Sequence, residues 1–317
     1  MRIQGSNIVV TGGAGFIGSH LVRALAERGA ARVTVVDSLR YGDVANLGAR
    51  EGVRLVKHEI GFDPPADLER ALEGADLLFH LAAEKHNQSK DSPSRVLASN
   101  VAGTLALYEA AVKAGVKKIV FTSSLYAYGR MSGGAFVETE RCEPKTVYGI
   151  SKLAGEHLLA YTSQASGVPF VVLRYLFIYG PKQFAGMGYK SVIMKSFERL
   201  LAGEAPVVFG DGMQALDYVY VDDAVEATIL AATEDVSGEV LNVASGRATT
   251  VRDLIETMVK VSGRDLAPAF GPADWTAGTH RFGDPEKTAR VLGWRATTSL
   301  EDGLRRTFDW IAAQGRS

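Results

Sequence analysis

The chain has 317 residues, of which 46% are apolar and 22% are charged, and its formal net charge is −1. A chain so close to neutral, with scattered basic residues, lacks the electrostatic field of a nucleic-acid-binding protein. We therefore predict no nucleic-acid partner. No apolar run approaches the roughly 18 residues that a membrane-spanning helix needs, so we also predict no membrane segment.

The first half of the chain alternates short apolar segments with segments of helical periodicity. Strands are predicted at 7–12, 32–37, 53–60, 76–83, 117–124 and 169–176, and helices at 15–29, 66–75, 94–115 and 148–166. This alternation indicates a parallel sheet covered by helices on both faces.

From about residue 180 the loops lengthen and glycine and proline become denser, before two helices at 251–263 and 299–314. We therefore predict an α/β fold in which residues 1–179 form a Rossmann-type doubly wound parallel sheet. Residues 180–317 would form a smaller C-terminal α/β substrate lobe, some of whose segments can return to the sheet.

The stretch "VVTGGAGFIGSH" follows the first strand and opens the first helix, with Gly12, Gly15 and Gly18 in regular spacing. These glycines permit a tight turn, a close approach to a pyrophosphate and close helix packing, while the helix N-terminus attracts the phosphates. Asp37 ends the second strand, where a carboxylate accepts hydrogen bonds from ribose hydroxyls and repels a 2′-phosphate. The pattern favours NAD, although Arg40 close behind leaves NADP open.

The stretch "TVYGISKLAGEH" places Tyr148 and Lys152 four residues apart, on one face of a predicted helix. A tyrosine has a pKa of about 10, and a neighbouring ammonium favours its phenolate form. The serines of "FTSSLYAYG" follow a strand and fall at the same carboxyl edge of the sheet. Together these groups supply what proton transfer coupled to hydride transfer requires.

Several motifs in order, "TGGAGFIGSH", "HLAA", "SNVAGT", "TSSLYAYG", "YGISK", "LRYLFIYGP" and "FGDGMQALDYVYVDDAVEA", give the chain a family resemblance. Over roughly residues 7–312 it resembles the extended short-chain dehydrogenase/reductase superfamily. Within it, the nearest branch is the NAD-dependent nucleotide-sugar epimerase/dehydratase family, which includes UDP-glucose 4-epimerase. The resemblance implies that Tyr148 is the acid/base, that Lys152 is its electrostatic partner and that Ser124 is the catalytic serine.

The resemblance also assigns binding roles by position. Asn100, in the "N-x-x-G-T" segment, would be a structural or cofactor-side residue. The predicted NAD contacts are Gly12, Gly15, Phe16, Ile17, Gly18, Asp37, Ser38, Arg40, Glu59, Ile60, Leu81, Ala82, Ala83, Asn100, Thr122, Tyr148, Lys152 and Tyr175. The predicted substrate contacts are Glu84, Ser123, Ser124, Tyr126, Tyr148, Phe177, Lys182, Lys190 and Arg281.

Dehydratases of this family carry Thr-Asp-Glu where this chain has Thr122, Ser123 and Ser124. The acid and base that eliminate water are therefore missing, which favours a 4-epimerase acting on a nucleoside-diphosphate sugar, most simply a UDP-sugar. In that reaction hydride passes to NAD and returns to the opposite face of the 4-ketose. Two alternatives stay open: an NAD(P)-dependent keto-sugar reductase, and a cofactor-binding regulatory protein without turnover.

Two positions depart from the family pattern at the substrate side. Phe177 stands where the family often has an asparagine, and Leu216 where it often has a diphosphate-binding arginine. Three explanations compete: Lys182, Lys190 or Arg281 holds the diphosphate, the substrate lacks a nucleoside diphosphate, or the chain has lost turnover.

Other features carry weaker expectations. Glu84 is either a second acid/base or substrate contact, or a polar loop residue, and the three tryptophans are expected to pack in the core or in the C-terminal lobe. The single Cys142 and the widely spread histidines predict no disulfide and no metal site, and a reduced, cytoplasmic location. By resemblance, helices 94–115 and 146–166 would form a homodimer.

Overall fold

The computed structural model describes residues 1–130, 133–183 and 190–314. Its strands are β1 (Asn7–Thr11), β2 (Arg32–Asp37), β3 (Val53–Lys57), β4 (Leu77–His80), β5 (Lys118–Ser124), β6 (Phe170–Tyr175), β7 (Phe177–Tyr179), β8 (Val207–Phe209), β9 (Ala215–Leu216), β10 (Tyr218–Tyr220), β11 (Glu239–Val243), β12 (Thr249–Thr250), β13 (Ala269–Gly271) and β14 (His280–Arg281). Its α-helices are α1 (Phe16–Glu27), α2 (Pro65–Leu72), α3 (Gln88–Asp91), α4 (Pro93–Leu97), α5 (Thr104–Lys113), α6 (Val147–Ser166), α7 (Val192–Leu201), α8 (Val221–Thr233), α9 (Val251–Ser262), α10 (Glu286–Leu292) and α11 (Leu300–Gln314).

Seven parallel strands form the main sheet in the order β11-β6-β5-β4-β1-β2-β3. The order reverses at β1, so the ends of β1 and β4 open a crevice at the carboxyl edge. Helices pack two hydrophobic clusters against the opposite faces of this sheet. The predicted Rossmann-type fold is confirmed. Because β11 comes from residues 239–243, the C-terminal half contributes to this sheet, and the division at residue 179 stays a prediction.

Local sequence signals set where α6 begins and ends. The Thr146 hydroxyl accepts a hydrogen bond from the Gly149 amide at 3.0 Å, which caps the first turn. Gly167 ends the helix at φ 79°, a left-handed conformation that favours glycine. This start places Tyr148 in the first turn and Lys152 in the second.

The single helix predicted for residues 94–115 is wrong in detail. The helical run is divided into α4, a π-helical segment at Ala98–Gly103, and α5. Gly103 packs tightly here, since a Cβ at this position would lie 2.7 Å from the Gly61 nitrogen. The wider turn buries Asn100, whose side chain pairs with both the amide and the carbonyl of Glu84.

Short strands build the C-terminal part, in the pairs β7 with β10 and β8 with β13 and in the three-stranded order β12-β9-β14. Trp294 is buried and donates to the Asp223 carbonyl, and Trp310 packs against the core. Trp275 is 63% exposed and does not pack in the core, although its ring centroid lies 5.9 Å from the Arg281 guanidinium carbon in the C-terminal part. Across the residues that the structure describes, no helix has the length and apolarity to cross a bilayer, and no cluster of His, Cys, Asp or Glu could hold a metal.

Candidate active site

A cavity of about 440 Å³ lies at the carboxyl edge of the main sheet. Residues that follow β1, β2, β4, β5 and β6 meet in its wall, as the strand order requires. It is lined by these predicted cofactor residues: Gly12, Gly15, Phe16, Ile17, Gly18, Asp37, Ser38, Glu59, Ile60, Leu81, Ala82, Ala83, Thr122, Tyr148, Lys152 and Tyr175. It is also lined by the predicted substrate residues Glu84, Ser123, Ser124, Tyr126 and Phe177.

The glycine loop has the geometry that its spacing predicts. Gly12 adopts φ 70°, and a Cβ there would lie 2.8 Å from the Ala82 nitrogen. A Cβ on Gly18 would come within 2.1 Å of the Gly12 carbonyl oxygen. Larger residues would therefore push α1 away from the end of β1. The first-turn amides of α1 remain directed at the cavity, which suits a pyrophosphate.

Asp37 is held rigidly at the end of β2. Its two carboxylate oxygens accept hydrogen bonds from the Ala14 and Leu39 amides, at 2.9 and 2.8 Å. Burial raises the pKa of this carboxyl, while both backbone hydrogen bonds act in the opposite direction. Each oxygen keeps a further lone pair, so the carboxylate can still accept from ribose hydroxyls.

The structure brings Ser124, Tyr148 and Lys152 to one wall of the cavity. Burial raises the pKa of Tyr148 to about 12, and its interaction with the Ser124 hydroxyl acts to lower it. The Lys152 amine lies 5.9 Å from the centroid of the Tyr148 ring and donates to the Thr122 carbonyl at 2.8 Å. Burial lowers the pKa of Lys152 to about 7, against the opposing influence of Glu156.

The Ser123 hydroxyl bonds to a buried ion pair between α6 and β6. It donates to the carboxylate of Glu156, which also receives Arg174 through two hydrogen bonds of 3.0 and 2.7 Å. Glu156 and Arg174 are each 5% exposed. The network fixes β5, β6 and α6 together. The Ser123 hydroxyl is thus occupied by protein, and its substrate contact stays a prediction.

Four cationic side chains that were predicted to contact the cofactor or the substrate do not line the cavity. Arg40 contacts the Tyr41 hydroxyl, Lys182 donates to the Asn46 carbonyl, and Lys190 donates to both carboxylate oxygens of Glu198. The structure therefore commits each of these three cations to a protein acceptor. Arg281, the fourth, differs from them in its surroundings.

The register of the small sheet places Arg281 beside Leu216, the position at which an arginine was expected. Arg281 of β14 is the direct parallel partner of Leu216 in β9, so the two side chains lie on the same face. The guanidinium carbon of Arg281 lies 4.9 Å from the Phe177 ring centroid and 5.9 Å from that of Trp275. Arg281 is 2% exposed, and its Nε and Nη1 have no hydrogen-bond partner in the part of the chain that the structure describes.

Asn100 does not line the cavity, and its side chain bonds to the Glu84 backbone and the Ser151 hydroxyl, so its contact with a cofactor stays a prediction. Both carboxylate oxygens of Glu84 accept hydrogen bonds, one from Tyr41 and one from Arg95, at 2.7 Å each. Glu59 forms an ion pair with the same Arg95. A carboxylate held by two donors is poorly suited to move protons, which argues against Glu84 as a second acid/base.

The predicted site residues omit several that line the cavity. His86 stacks on Tyr126 with ring centroids 4.2 Å apart and lies edge-on to Tyr148 at 6.0 Å. Tyr41 and Gly42 enter from the loop after β2, and Ser99 from the π-helical segment. Tyr41 and His86 follow the carboxyl ends of β2 and β4, and this position in the sequence could have predicted them as site residues. No sequence pattern near Ser99 predicted that it would line the cavity.

Comparison with known proteins places this geometry in context. The model of the NAD dependent epimerase/dehydratase family matches residues 8–244. The chain is 34% identical over 310 residues to the UDP-glucose 4-epimerase of Mycolicibacterium smegmatis, covering 96% of this chain and 97% of that protein. It is 31% identical over 311 residues to a dTDP-glucose 4,6-dehydratase of Streptomyces griseus, covering 96% and 94%. The structure of UDP-glucose 4-epimerase from Thermotoga maritima with UDP-glucose superposes with a TM-score of 0.89 at 38% identity, covering 97% and 99%.

Proposed function

Because the chain belongs to the NAD dependent epimerase/dehydratase family, we propose that it is an NAD-dependent epimerase of a nucleoside-diphosphate sugar. The reaction would take place at C4, with a UDP-sugar as the substrate. The observation that carries this proposal is the placement of Ser124, Tyr148 and Lys152 on the wall of the cavity that holds the glycine loop. The serines at 123 and 124 supply no carboxyl group for a dehydratase.

The residues fit NAD, since glycine at positions 12 and 18 lets β1, the turn and α1 pack at distances that a Cβ would prevent, which keeps the turn and the start of α1 in the form that binds a pyrophosphate. Asp37 would accept from the adenosine ribose, and Lys152 would reach the nicotinamide ribose. NAD, when bound, supplies the acceptor that takes the C4 hydride and gives it back.

The protein's own residues would move the proton. Ser124 hydrogen-bonds to the C4 oxygen, and the Tyr148 phenolate accepts the C4 hydroxyl proton as the hydride leaves. Lys152 stabilises that phenolate by its charge. The 4-ketose then rotates in the cavity, so that the hydride returns to its opposite face and the same phenol returns the proton. No atom is gained or lost and C4 is inverted, so the product is the C4 epimer.

The test is an assay of UDP-glucose and UDP-N-acetylglucosamine with added NAD, followed by proton NMR of the anomeric signals. We expect the C4 epimer to accumulate to equilibrium with no net change in NADH absorbance. Stoichiometric NADH consumption would instead identify a ketoreductase, and a 4-keto-6-deoxy product a dehydratase. Tightly bound NAD with no turnover of any sugar nucleotide would favour a regulatory protein.

We also propose that Arg281 holds the diphosphate. With this role for Arg281, we propose that residues 180–317 are mainly a substrate-binding lobe. Its buried Nε and Nη1 are unpartnered in the described part of the chain, and its charge stands beside Leu216, where related proteins often carry the arginine. A guanidinium suits a diphosphate because it offers paired donors in a plane.

Replacing Arg281 with leucine should raise KM for the UDP-sugar about 10–100-fold with a smaller effect on kcat, because one charge-assisted contact is worth about 1.5–3 kcal/mol. Steady-state kinetics measures both constants. The double variant Leu216→Arg/Arg281→Leu moves the guanidinium to the neighbouring strand on the same face, and we expect it to recover much of the lost affinity. An unchanged KM for Arg281→Leu would contradict the assignment.

We propose a cytoplasmic homodimer formed through the segments 94–115 and 146–166. Leu97 on α4 is 44% exposed, and Ile150 and Tyr161, three turns apart on α6, are 47% and 65% exposed. Together they make an apolar surface that a second copy would cover. Light scattering should give twice the chain mass, and a monomeric mass would contradict this proposal. The single half-buried cysteine, Cys142, suits a reducing compartment.

A further inference from the structure

Two loops are joined across the end of the strand that carries the glycine loop. The Tyr41 hydroxyl, in the loop after β2, donates to Oε2 of Glu84, in the loop after β4, at 2.7 Å. β1 lies between β2 and β4 in the sheet. Since neighbouring strands lie about 4.8 Å apart, the contact bridges a gap of roughly 10 Å at the cavity edge.

The acceptor in this contact is a fixed, buried charge. The Glu84 side chain is 5% exposed, and its Oε1 accepts from Arg95 Nε at 2.7 Å and lies 3.5 Å from Arg40 Nε. Two guanidinium groups therefore balance the charge and hold the carboxylate in one orientation. A hydrogen bond to a held carboxylate is stronger than one between neutral groups.

The donor is held as well. Arg40 Nε lies 3.1 Å from the Tyr41 hydroxyl oxygen, and the Lys85 amine lies 4.4 Å from the centroid of the Tyr41 ring. The loop itself rests on the glycine loop, because the Asp43 amide donates to the Ala14 carbonyl at 3.0 Å. A Cβ on Gly42 would lie 2.9 Å from the Ala14 carbonyl carbon.

Tyr41 and Glu84 line the same cavity as Gly12, Gly15 and Asp37. A dinucleotide whose pyrophosphate rests on the glycine loop and whose ribose meets Asp37 would occupy the space that these two loops enclose. Its release would then require the Tyr41–Glu84 contact to open.

On the basis of the proposed function, we propose that Tyr41 and Glu84 form a clasp that retains the dinucleotide through the catalytic cycle. A redox-neutral epimerase has a specific need for such a device. The hydride removed from C4 must be returned to the same sugar, so escape of NADH between the two transfers would leave an unfinished ketose. The clasp lowers the probability of that escape.

The experiment measures the dissociation rate of NADH from the full-length protein, by the loss of bound NADH fluorescence after excess NAD is added. Tyr41→Phe removes only the hydroxyl and should raise this rate about tenfold or more, while the loss of one hydrogen bond lowers the melting temperature of the dinucleotide-free protein by only a few degrees. Tyr108→Phe is the matched control, because the buried Tyr108 hydroxyl has no partner within the described residues and does not line the cavity. Its dissociation rate should equal that of the unaltered protein.

A second comparison separates the clasp from general loosening. Glu84→Gln removes the charge from the acceptor, weakens the contact and should also speed release. Adding Tyr41→Phe to Glu84→Gln should then speed release by a smaller factor than Tyr41→Phe does in the unaltered protein, because the two residues share that contact. A dissociation rate for Tyr41→Phe within twofold of the unaltered protein overturns the clasp and leaves the epimerase proposal intact. An unaltered protein that binds neither NADH nor NAD overturns both proposals.

Discussion

Replacing Tyr148 with phenylalanine should lower kcat at least about 10³-fold, with little change in NAD binding or melting temperature. The change removes one oxygen from the wall of the cavity and leaves the packing of the ring against His86 and Tyr126 intact. Burial, against the opposing influence of Ser124, raises the pKa of this phenol to about 12, so without NAD the side chain is almost entirely protonated at neutral pH. Bound NAD and the charge of Lys152 must lower that value for the reaction to proceed.

The pH dependence of kcat gives a second test of the same residue. With NAD bound, we expect kcat of the unaltered protein to rise with an apparent pKa well below 12, since the ionised phenolate is the base. The equivalent change at a hydroxyl outside the cavity, Tyr108→Phe, should leave kcat unaltered. Activity above a tenth of normal in Tyr148→Phe would show that another group carries the proton.

Replacing Lys152 with methionine should make the dinucleotide-free protein more stable at pH 6 while lowering kcat about 100-fold or more. Burial lowers the pKa of Lys152 from 10.5 to about 7, so the folded protein binds this proton more weakly than the unfolded chain. The resulting destabilisation is on the order of a few kcal/mol. It exceeds the roughly 1–3 kcal/mol expected from leaving the Thr122 carbonyl without its donor.

The sign of the pH dependence follows from the lowered pKa. Below about pH 7 both folded and unfolded chains carry the charge on Lys152, and the penalty is fully present. Between about pH 7 and 10.5 the folded protein releases the proton first, so stability rises with pH and the penalty disappears. The methionine variant should therefore exceed the unaltered protein in melting temperature at pH 6 by more than at pH 9.

Calorimetry at the two pH values, on protein stripped of dinucleotide, measures this difference. An equal gap at both would show that the ammonium is well solvated or fully paired in the folded protein. Lys152→Arg is the control for this effect. Arginine keeps its charge at both pH 6 and pH 9, so the stability of this variant should lack the rise with pH that deprotonation of Lys152 produces. The comparison therefore tests whether the buried ammonium of Lys152 lowers the free energy of unfolding.

The contacts that sequence predicted best are local ones. Gly12 and Gly18 lie within one turn-and-helix unit, and Tyr148 and Lys152 lie one helical turn apart. Their geometry follows from backbone conformation and helix periodicity, which depend on neighbours in the chain. The alternation of strands and helices likewise implies a parallel sheet, whose carboxyl edge must hold the residues that follow each strand.

The contacts that sequence could not predict join distant segments. Arg281 meets Leu216 through the register of two short strands, and neither strand is long enough to show a periodic pattern. A one-residue change of register would turn Arg281 to the other face, and no local pattern determines that choice. The Ser123–Glu156–Arg174 network was missed for a different reason: it joins β5, α6 and β6, and the contact depends on how the helix packs on the sheet.

By itself, the amino-acid sequence determined the fold class, the glycine loop after β1 and the placement of Tyr148 and Lys152, the proposed acid/base pair, on one helix face. Each of these depends on the order of strands and helices or on spacing within a few residues. Only the tertiary structure decided which cation remains available to a diphosphate, how Glu84 is occupied and that Tyr41 reaches across β1 to bind it. Those outcomes depend on which loops the packed sheet brings together, and side chains 43 residues apart come into contact only once that packing exists.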